Sequence, residues 1–270
     1  MLLAVNVENS HISLGIFEIN GKIVCKFKVS ADITKTSDEY CALFCSIISQ
    51  NNVSVKTINS AIVSSVVPQL SHTVSMSVFK MIEKEPLMIG PGVKTGFPIK
   101  IDSPAELGGD IVANTAAVLA ELKMQSKNDL ASIIVDMNTV TTVSAINSTG
   151  DYIGCSICPG VQLSFDSMHG NTAQLPNVSF AAPKRAIGKN SQDSVRSGVI
   201  IGTAAMLDGL VYRFAREMKC KVENINLIIT GEYASYVIGV CNSNFKYCEE
   251  LTLNGLYHIY INNNGDSRIL

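Results

Sequence analysis

A chain of 270 residues, 47% apolar and with a formal net charge of −2, is long enough for two domains and lacks the basic surplus of a nucleic-acid partner. No apolar stretch reads as long enough to cross a membrane, and the N-terminus enters a strand with no basic lead or cleavage site, so a cytoplasmic protein is expected. The 8 cysteines then read as buried free thiols. Cys155 and Cys158 form a CxxC, but no second CxxC or histidine pair completes a zinc set, and they read as small packing residues.

The chain opens on a hairpin, residues 2–17, in which two apolar runs flank a polar knot at Glu8-Asn9-Ser10-His11. Asn20-Gly21 signals a second turn, and Lys22 to Val29 alternates as a third strand. Thr36 and Glu39 make a capping box for a helix through about Gln50, with Tyr40, Leu43, Phe44, Ile47 and Ile48 at core-facing spacing. Ile58 to Val67 is an apolar run closed by Pro68, as in a buried parallel strand. A helix follows from about Gln69 to Ile82, then a short strand at Leu87 to Ile89 and a Gly/Pro-punctuated loop to Pro98.

Ser103 and Glu106 spell a second capping box with Pro104 at the first helical position. Gly108-Gly109 breaks that turn, and Asp110 opens a helix from Ile111 to about Lys123, where a helix N-terminus would hold its carboxylate ionised. Polar residues 125–129 mark the division between domains 1–124 and 125–270. A second hairpin spans Ile133 to Ile146, followed by a strand from Tyr152 to Ile157 and a weakly periodic connection, 161–186. A long helical region with regularly spaced small residues runs from Ser191 to Lys219, offering a close-packing face. Ile225 to Thr230 reads as a buried strand ending at Gly231-Glu232, and Leu253 to Tyr260 as a closing helix.

The two hairpins share one grammar. Aligned without gaps, Val5 meets Val135, Asn6 meets Asp136, Glu8 meets Asn138, Asn9 meets Thr139 and Ile16 meets Ile146. Two copies at this separation point to a duplicated domain, each half reading βββαβα. Between them lie Ser64-Ser65-Val66-Val67-Pro68, Pro91 to Gly96, Gly108-Gly109-Asp110, Cys158-Pro159-Gly160, Asn171 to Pro176, Ile187 to Ser191 and Leu251 to Leu256. In this order the segments resemble those of the type III pantothenate kinases across nearly the whole chain.

The resemblance implies an α/β fold of duplicated actin-like (ribonuclease H-like) domains with mixed central sheets. It also implies ATP-dependent phosphorylation of pantothenate in coenzyme A biosynthesis, with Mg-ATP held between the two hairpins and a monovalent cation, K⁺ or NH₄⁺. Carried over by position, Asp110 is the catalytic base. Asn6, Glu8, Asn9, Ser10, Thr139 and Gly231 fall on nucleotide contacts, and Asn6 stands where the family places a magnesium-handling aspartate. Gly108, Gly109, Ile101, Ile111 and Ser191 fall on substrate contacts, and Asp136 on the monovalent-cation ligand. The family forms homodimers, so a homodimer acting on a small molecule is implied, without nucleic acid or membrane.

Several positions depart from the family pattern: Asn6 for aspartate, Glu8 and Asn138 for glycine, Ile101 for tyrosine, Ile111 for arginine and Glu232 for glycine. Asn6 brings no charge to a hard cation, and Glu8 brings a carboxylate toward the phosphates. These substitutions carry two alternatives: a catalytically degraded paralog serving as a binding or regulatory module, or a kinase for a different small-molecule acceptor. His11, His72, His169 and His258 show no ligand spacing and read as core or surface residues.

Overall fold

The computed structural model describes residues 1–264. The chain forms two compact units. One takes residues 1–98, 102–125 and the stretch from 250 onward; the other takes 99–101 and 126–249.

The first unit is built on β1 (Leu2–Val7), β2 (His11–Phe17), β3 (Ile23–Ser30), β4 (Ser60–Ser65) and β5 (Leu87–Met88), in the order β3-β2-β1-β4-β5. β1 pairs antiparallel with β2 and parallel with β4. Strand alternation gives β1 two faces. Leu3, Val5 and Val7 enter a core with Tyr40, Phe44 and Ile48 of α1 (Ser37–Gln50) and Leu70, Val74 and Val78 of α2 (Pro68–Ile82). The Thr36/Glu39 capping box forms, with both reciprocal bonds present. The opposite face carries α3 (Gly109–Met124), which packs on the last helix of the chain.

The second unit repeats this plan with β6 (Ser132–Met137), β7 (Val140–Ile146), β8 (Tyr152–Pro159), β9 (Asn226–Thr230) and β10 (Lys246–Tyr247), in the order β10-β9-β6-β7-β8. Its core joins Ile133, Val135 and Met137 to Val161 and Phe165 of α4 (Val161–Gly170). It also takes Val195 of α5 (Ser191–Arg196), Leu207 and Val211 of α6 (Gly202–Glu217), and Ala234 and Val237 of α7 (Ala234–Val237). A π turn, Ser197–Ile201, joins α5 to α6. Contrary to the sequence expectation, the resulting 27-residue helix, Ser191–Glu217, is long and apolar enough to cross a membrane by length and composition. Its stripe from Val195 through Val199, Ala204 and Leu207 to Ala215 lies in the unit's core instead.

The repeat is confirmed with one correction. A bulge interrupts β2 at Ile16/Phe17 and β7 at Ala145/Ile146. Val7 faces Ile12 across the residues Glu8 to His11, whereas Met137 faces Thr141 across only Asn138, Thr139 and Val140. The second turn is one residue shorter, so Ile146 corresponds to Phe17 rather than Ile16. Ile16, Phe17 and Ile146 are all buried, which hid the slip from an ungapped alignment. Two further corrections concern the approach to α3. The Ser103/Glu106 box does not form: Pro104–Glu106 is a single 3-10 turn with no side-chain cap. The residue capping α3 is Gly108 rather than Asp110.

α8 (Leu251–Asn264) belongs to the first unit, although a division at residue 124 places it with the second half. It lies against β1, β2 and α3, and Gly255 meets the backbone of Ala113. Thr252 Oγ1 bonds to Asn114 Oδ1 at 2.8 Å. Only a glycine lets the two helices come this close.

In the second unit, Asp151 closes the β7–β8 turn. Lys100 Nζ lies 2.7 Å from Oδ2, and Asn147 Nδ2 and Thr149 Oγ1 donate to the same oxygen at 3.0 and 2.7 Å. Lys100 first, then these two donors, hold its carboxyl down to about 2. A depressed carboxylate stabilises the fold fully above its unfolded value of ~3.9, and that contribution fades as pH falls from about 4 toward 2. Asp151→Asn is therefore expected to flatten the pH dependence of stability in that window, read by thermal unfolding at stepped pH.

Candidate active site

The first unit gathers its site at the C-terminal end of β1 and β4, the edge where open α/β sheets bind ligands. Asn6 pairs with Ser13 on β2 and Ser64 on β4, setting a polar row across three strands. Asn6 and Ser64 are fully shielded, and among the described residues neither Asn6 Oδ1 nor Ser64 Oγ has a hydrogen-bond partner. Gly109 sits over this row: a Cβ there would press on Ser64 Oγ, so the glycine lets the start of α3 approach β4.

Glu8 follows Asn6 on the same face and is 7% exposed. Its Oε1 accepts from Asn6 Nδ2 at 3.1 Å, and its Oε2 lies 2.5 Å from His11 Nε2. The other ring nitrogen, Nδ1, is 2.9 Å from Ser10 Oγ. Both oxygens of Glu8 are thus engaged within the loop that carries them. Asn9 and Ser10 are exposed at its tip. His11, which spacing alone assigned to core or surface, is part of this network. The signal for it was the Glu8-x-x-His11 spacing across a tight turn.

Asp110 stands in the first turn of α3 and accepts the Ile111 N–H at 2.8 Å. Burial pushes its carboxyl above the ordinary range, against that hydrogen bond, and the charge of Glu8 pushes the same way. The Ile111 amide at the helix N-terminus favours the charged form, but loss of hydration outweighs it and the net shift is upward. Gly108 and Gly109 are half-buried beside it. Ile111, where the family carries arginine, is buried in the helix and offers no polar group.

The second unit makes the corresponding turn at the end of β6. Asp136 is 5% exposed, and its Oδ1 accepts from Asn138 Nδ2 at 2.9 Å. Asn138 Oδ1 accepts the Glu232 N–H at 3.0 Å, tying the turn to the loop after β9. Gly231, at φ +98°, presses on the Met137 backbone and has no room for a Cβ. Gly160 lies equally close to the carbonyls of Asn138 and Thr139. Asp136, Thr139 and Gly231 are therefore brought together, and the Glu232 side chain is exposed. Ile101 lies on the short segment bridged to Tyr152. Ser191 opens α5 and lines a separate open cavity of about 480 Å³ with Lys189, Met168 and Leu175.

Oxygen donors are what a hard divalent cation takes. Asn6 Oδ1 and Ser64 Oγ, buried and without a partner among the described residues, fit such an ion. Among the described residues no group of three or more His, Cys, Asp and Glu side chains is placed to hold a metal by itself, so a nucleotide's phosphates would have to complete the coordination.

The family model of type III pantothenate kinase matches residues 2–213. A type III pantothenate kinase of Anaeromyxobacter dehalogenans (strain 2CP-C) is 34% identical over 257 residues, covering 95% of this chain and 97% of its own. Among solved structures, a conserved putative Baf family transcriptional activator from Campylobacter jejuni superposes with a TM-score of 0.59 at 15% identity, covering 98% of this chain and 100% of its own. A putative 2-dehydro-3-deoxygalactonokinase from Sinorhizobium meliloti gives 0.59 at 11%, covering 97% and 99%. These two likenesses concern the fold, the duplicated α/β architecture of actin-like sugar kinases.

Proposed function

The chain belongs to the type III pantothenate kinase family, and from that premise we propose that it transfers the γ-phosphoryl group of ATP to the hydroxyl of pantothenate, the entry to coenzyme A synthesis. The observation that carries the reading is Asp110: a half-buried carboxylate fixed at the start of α3, next to the polar end of β1 and β4. In this role it accepts the hydroxyl proton as the oxygen attacks the γ-phosphorus and ADP departs. Burial suits it to the task, because a carboxyl pushed upward is a stronger base than an exposed one.

In the first unit the loop of residues 8–11 contacts the phosphates of the nucleotide, and in the second unit Thr139 and Gly231 serve as nucleotide contacts. Asn6 and Ser64 would hold the divalent ion, which when bound would screen the charge of the phosphates. Asp136 holds a monovalent cation. The small-residue face of Ser191–Glu217 serves a homodimer, and the protein works in the cytoplasm. ADP release followed with and without pantothenate, Mg²⁺ and K⁺ tests this. Release that requires all three supports it, whereas none under any condition favours a non-catalytic binding module.

The pH profile gives a second expected outcome. The base is active only when deprotonated, so the acid limb of kcat/KM should lie above the ~3.9 of an ordinary aspartate. Glu8→Gln removes a like charge and should move that limb to lower pH.

Charge on the phosphate loop gives another. Glu8 keeps a carboxylate where phosphates are to lie, and Asn6 brings no compensating charge to the metal. Asn6→Asp combined with Glu8→Gly is expected to tighten Mg-ATP binding about tenfold for each ~1.4 kcal/mol of repulsion removed. Titration calorimetry on both proteins reads this directly, and unchanged affinity would show that the Glu8 charge is already neutralised by its partners.

A further inference from the structure

In the first unit α3 and α8 meet closely where Gly255 touches Ala113. Further along both helices, a cavity of about 290 Å³ opens between them and the loop that carries Gly96. α3 contributes Ala116, Leu119, Ala120 and Lys123, spaced i, i+3, i+4 and i+7, so one helix face presents three apolar side chains and then a cation. α8 contributes His258 and Asn262, one turn apart, and the loop adds Phe97. Asn263 ties that loop to α8: its Oδ1 accepts the Lys94 N–H and its Nδ2 donates to the Lys94 carbonyl, both at 2.9 Å.

A mere packing gap between two helices would be apolar throughout. This cavity is not. The side chains of Lys123, His258 and Asn262 make no hydrogen bond or ion pair with any other described residue. His258 is half-buried, and loss of hydration pushes its imidazole below the ordinary range, so at neutral pH the ring is uncharged and keeps one N–H donor. Gly96, at φ +91°, leaves room for Asn262, because a Cβ there would strike the amide nitrogen. The Thr95 hydroxyl is already taken by the Phe97 carbonyl at 2.9 Å. Among the described residues no acidic side chain lines the cavity. Three donors and no anion thus share a cavity with an apolar wall, the combination that suits an acid with a hydrocarbon body. Inorganic phosphate, having no such body, would leave Phe97 and Leu119 uncovered.

We propose that this cavity binds a small monocarboxylic acid, with its carboxylate on Lys123, His258 and Asn262 and its hydrocarbon chain against Phe97, Leu119 and Ala120. Lys123 lies about 20 Å along α3 from Asp110 at 1.5 Å per residue, so the site is separate from the one at the start of that helix. Nothing in it depends on the kinase reading. An acid seated there bridges α3 and α8, and it stabilises the first unit in proportion to its occupancy.

Hexanoate is the probe, beside hexanol, which has the chain without the charge, and acetate, which has the charge without the chain. Each is titrated into the full chain at neutral pH and followed by proton NMR on the ring C–H signals of its 4 histidines. Expected is saturable binding of hexanoate that shifts the His258 signal, assigned as the one missing from His258→Gln. Hexanol should bind about fivefold to tenfold more weakly, the loss of a charge-assisted contact, and acetate should not saturate. Lys123→Met should weaken hexanoate by the same factor and leave hexanol unchanged. Ala120→Leu fills the cavity and should abolish binding of both, with circular dichroism verifying its fold. Because Lys123 is exposed, Lys123→Met should fold normally and decides the matter even where Ala120→Leu does not fold. Equal hexanoate affinity in the native chain and Lys123→Met would overturn the site. So would the absence of saturation, or binding that shifts another histidine and leaves His258 unmoved.

Discussion

Asp110→Asn is expected to lower the rate of phosphoryl transfer to pantothenate by roughly 10²–10⁴-fold, the contribution of a positioned general base. Asparagine keeps the volume and can still accept the Ile111 N–H through Oδ1, so the first turn of α3 is retained. It cannot accept a proton. Mg-ATP binding should be unchanged, because the loop that holds the phosphates is untouched. Stability at neutral pH should hold or rise, since the substitution removes a carboxylate whose charged form is disfavoured by burial and by Glu8. This pattern separates a base from a capping residue. A cap would lose stability on amidation while turnover per folded molecule stayed the same.

The largest structural effect is expected at Gly255. A side chain there would overlap the carbonyl of Ala113, and neither helix backbone can yield without parting α3 from α8. Gly255→Ala should therefore destabilise the first unit by about 3 kcal/mol, the upper range of overpacking, despite the better helix propensity of alanine. The midpoint of thermal unfolding should fall by several degrees. Glycines facing open space on the other long helix, Gly202 and Gly209, provide the control: Gly→Ala there should be neutral or stabilising.

What the sequence made legible was local. The Thr36/Glu39 box, the Asn20-Gly21 turn, the apolar runs of β1 and β6 and the periodicity of α1 each depend on residues a few positions apart, and each is present as read. The family and its architecture were legible from ordered motifs. The one-residue deletion in the second turn was not, because apolar residues occupy both candidate positions. The upward shift at Asp110 was not legible, because its helix position is written in the sequence while its burial depends on the fold. The contacts of Glu8 with Asn6 and His11 were legible only as a Glu8-x-x-His11 spacing, which on its own does not say that the side chains meet. The place of α8 in the first unit depends on a contact between Gly255 and Ala113, residues far apart along the chain.

That contact also sets a calendar for synthesis. The second unit, apart from residues 99–101, is a continuous run that is complete once residue 249 has been made. The first unit is begun earlier yet finished later, since the helix covering β1 and β2 emerges only after residue 249. At 5–20 residues per second, residues 126–249 occupy the ribosome for roughly 6–25 s, time enough for a small domain to fold on its own. Throughout that interval the nascent first unit presents Leu2, Ala4 and the uncovered flank of α3 to solvent, a ready target for a holding chaperone. A nonsense codon near residue 250 would leave the later-made unit intact and strand the one made first.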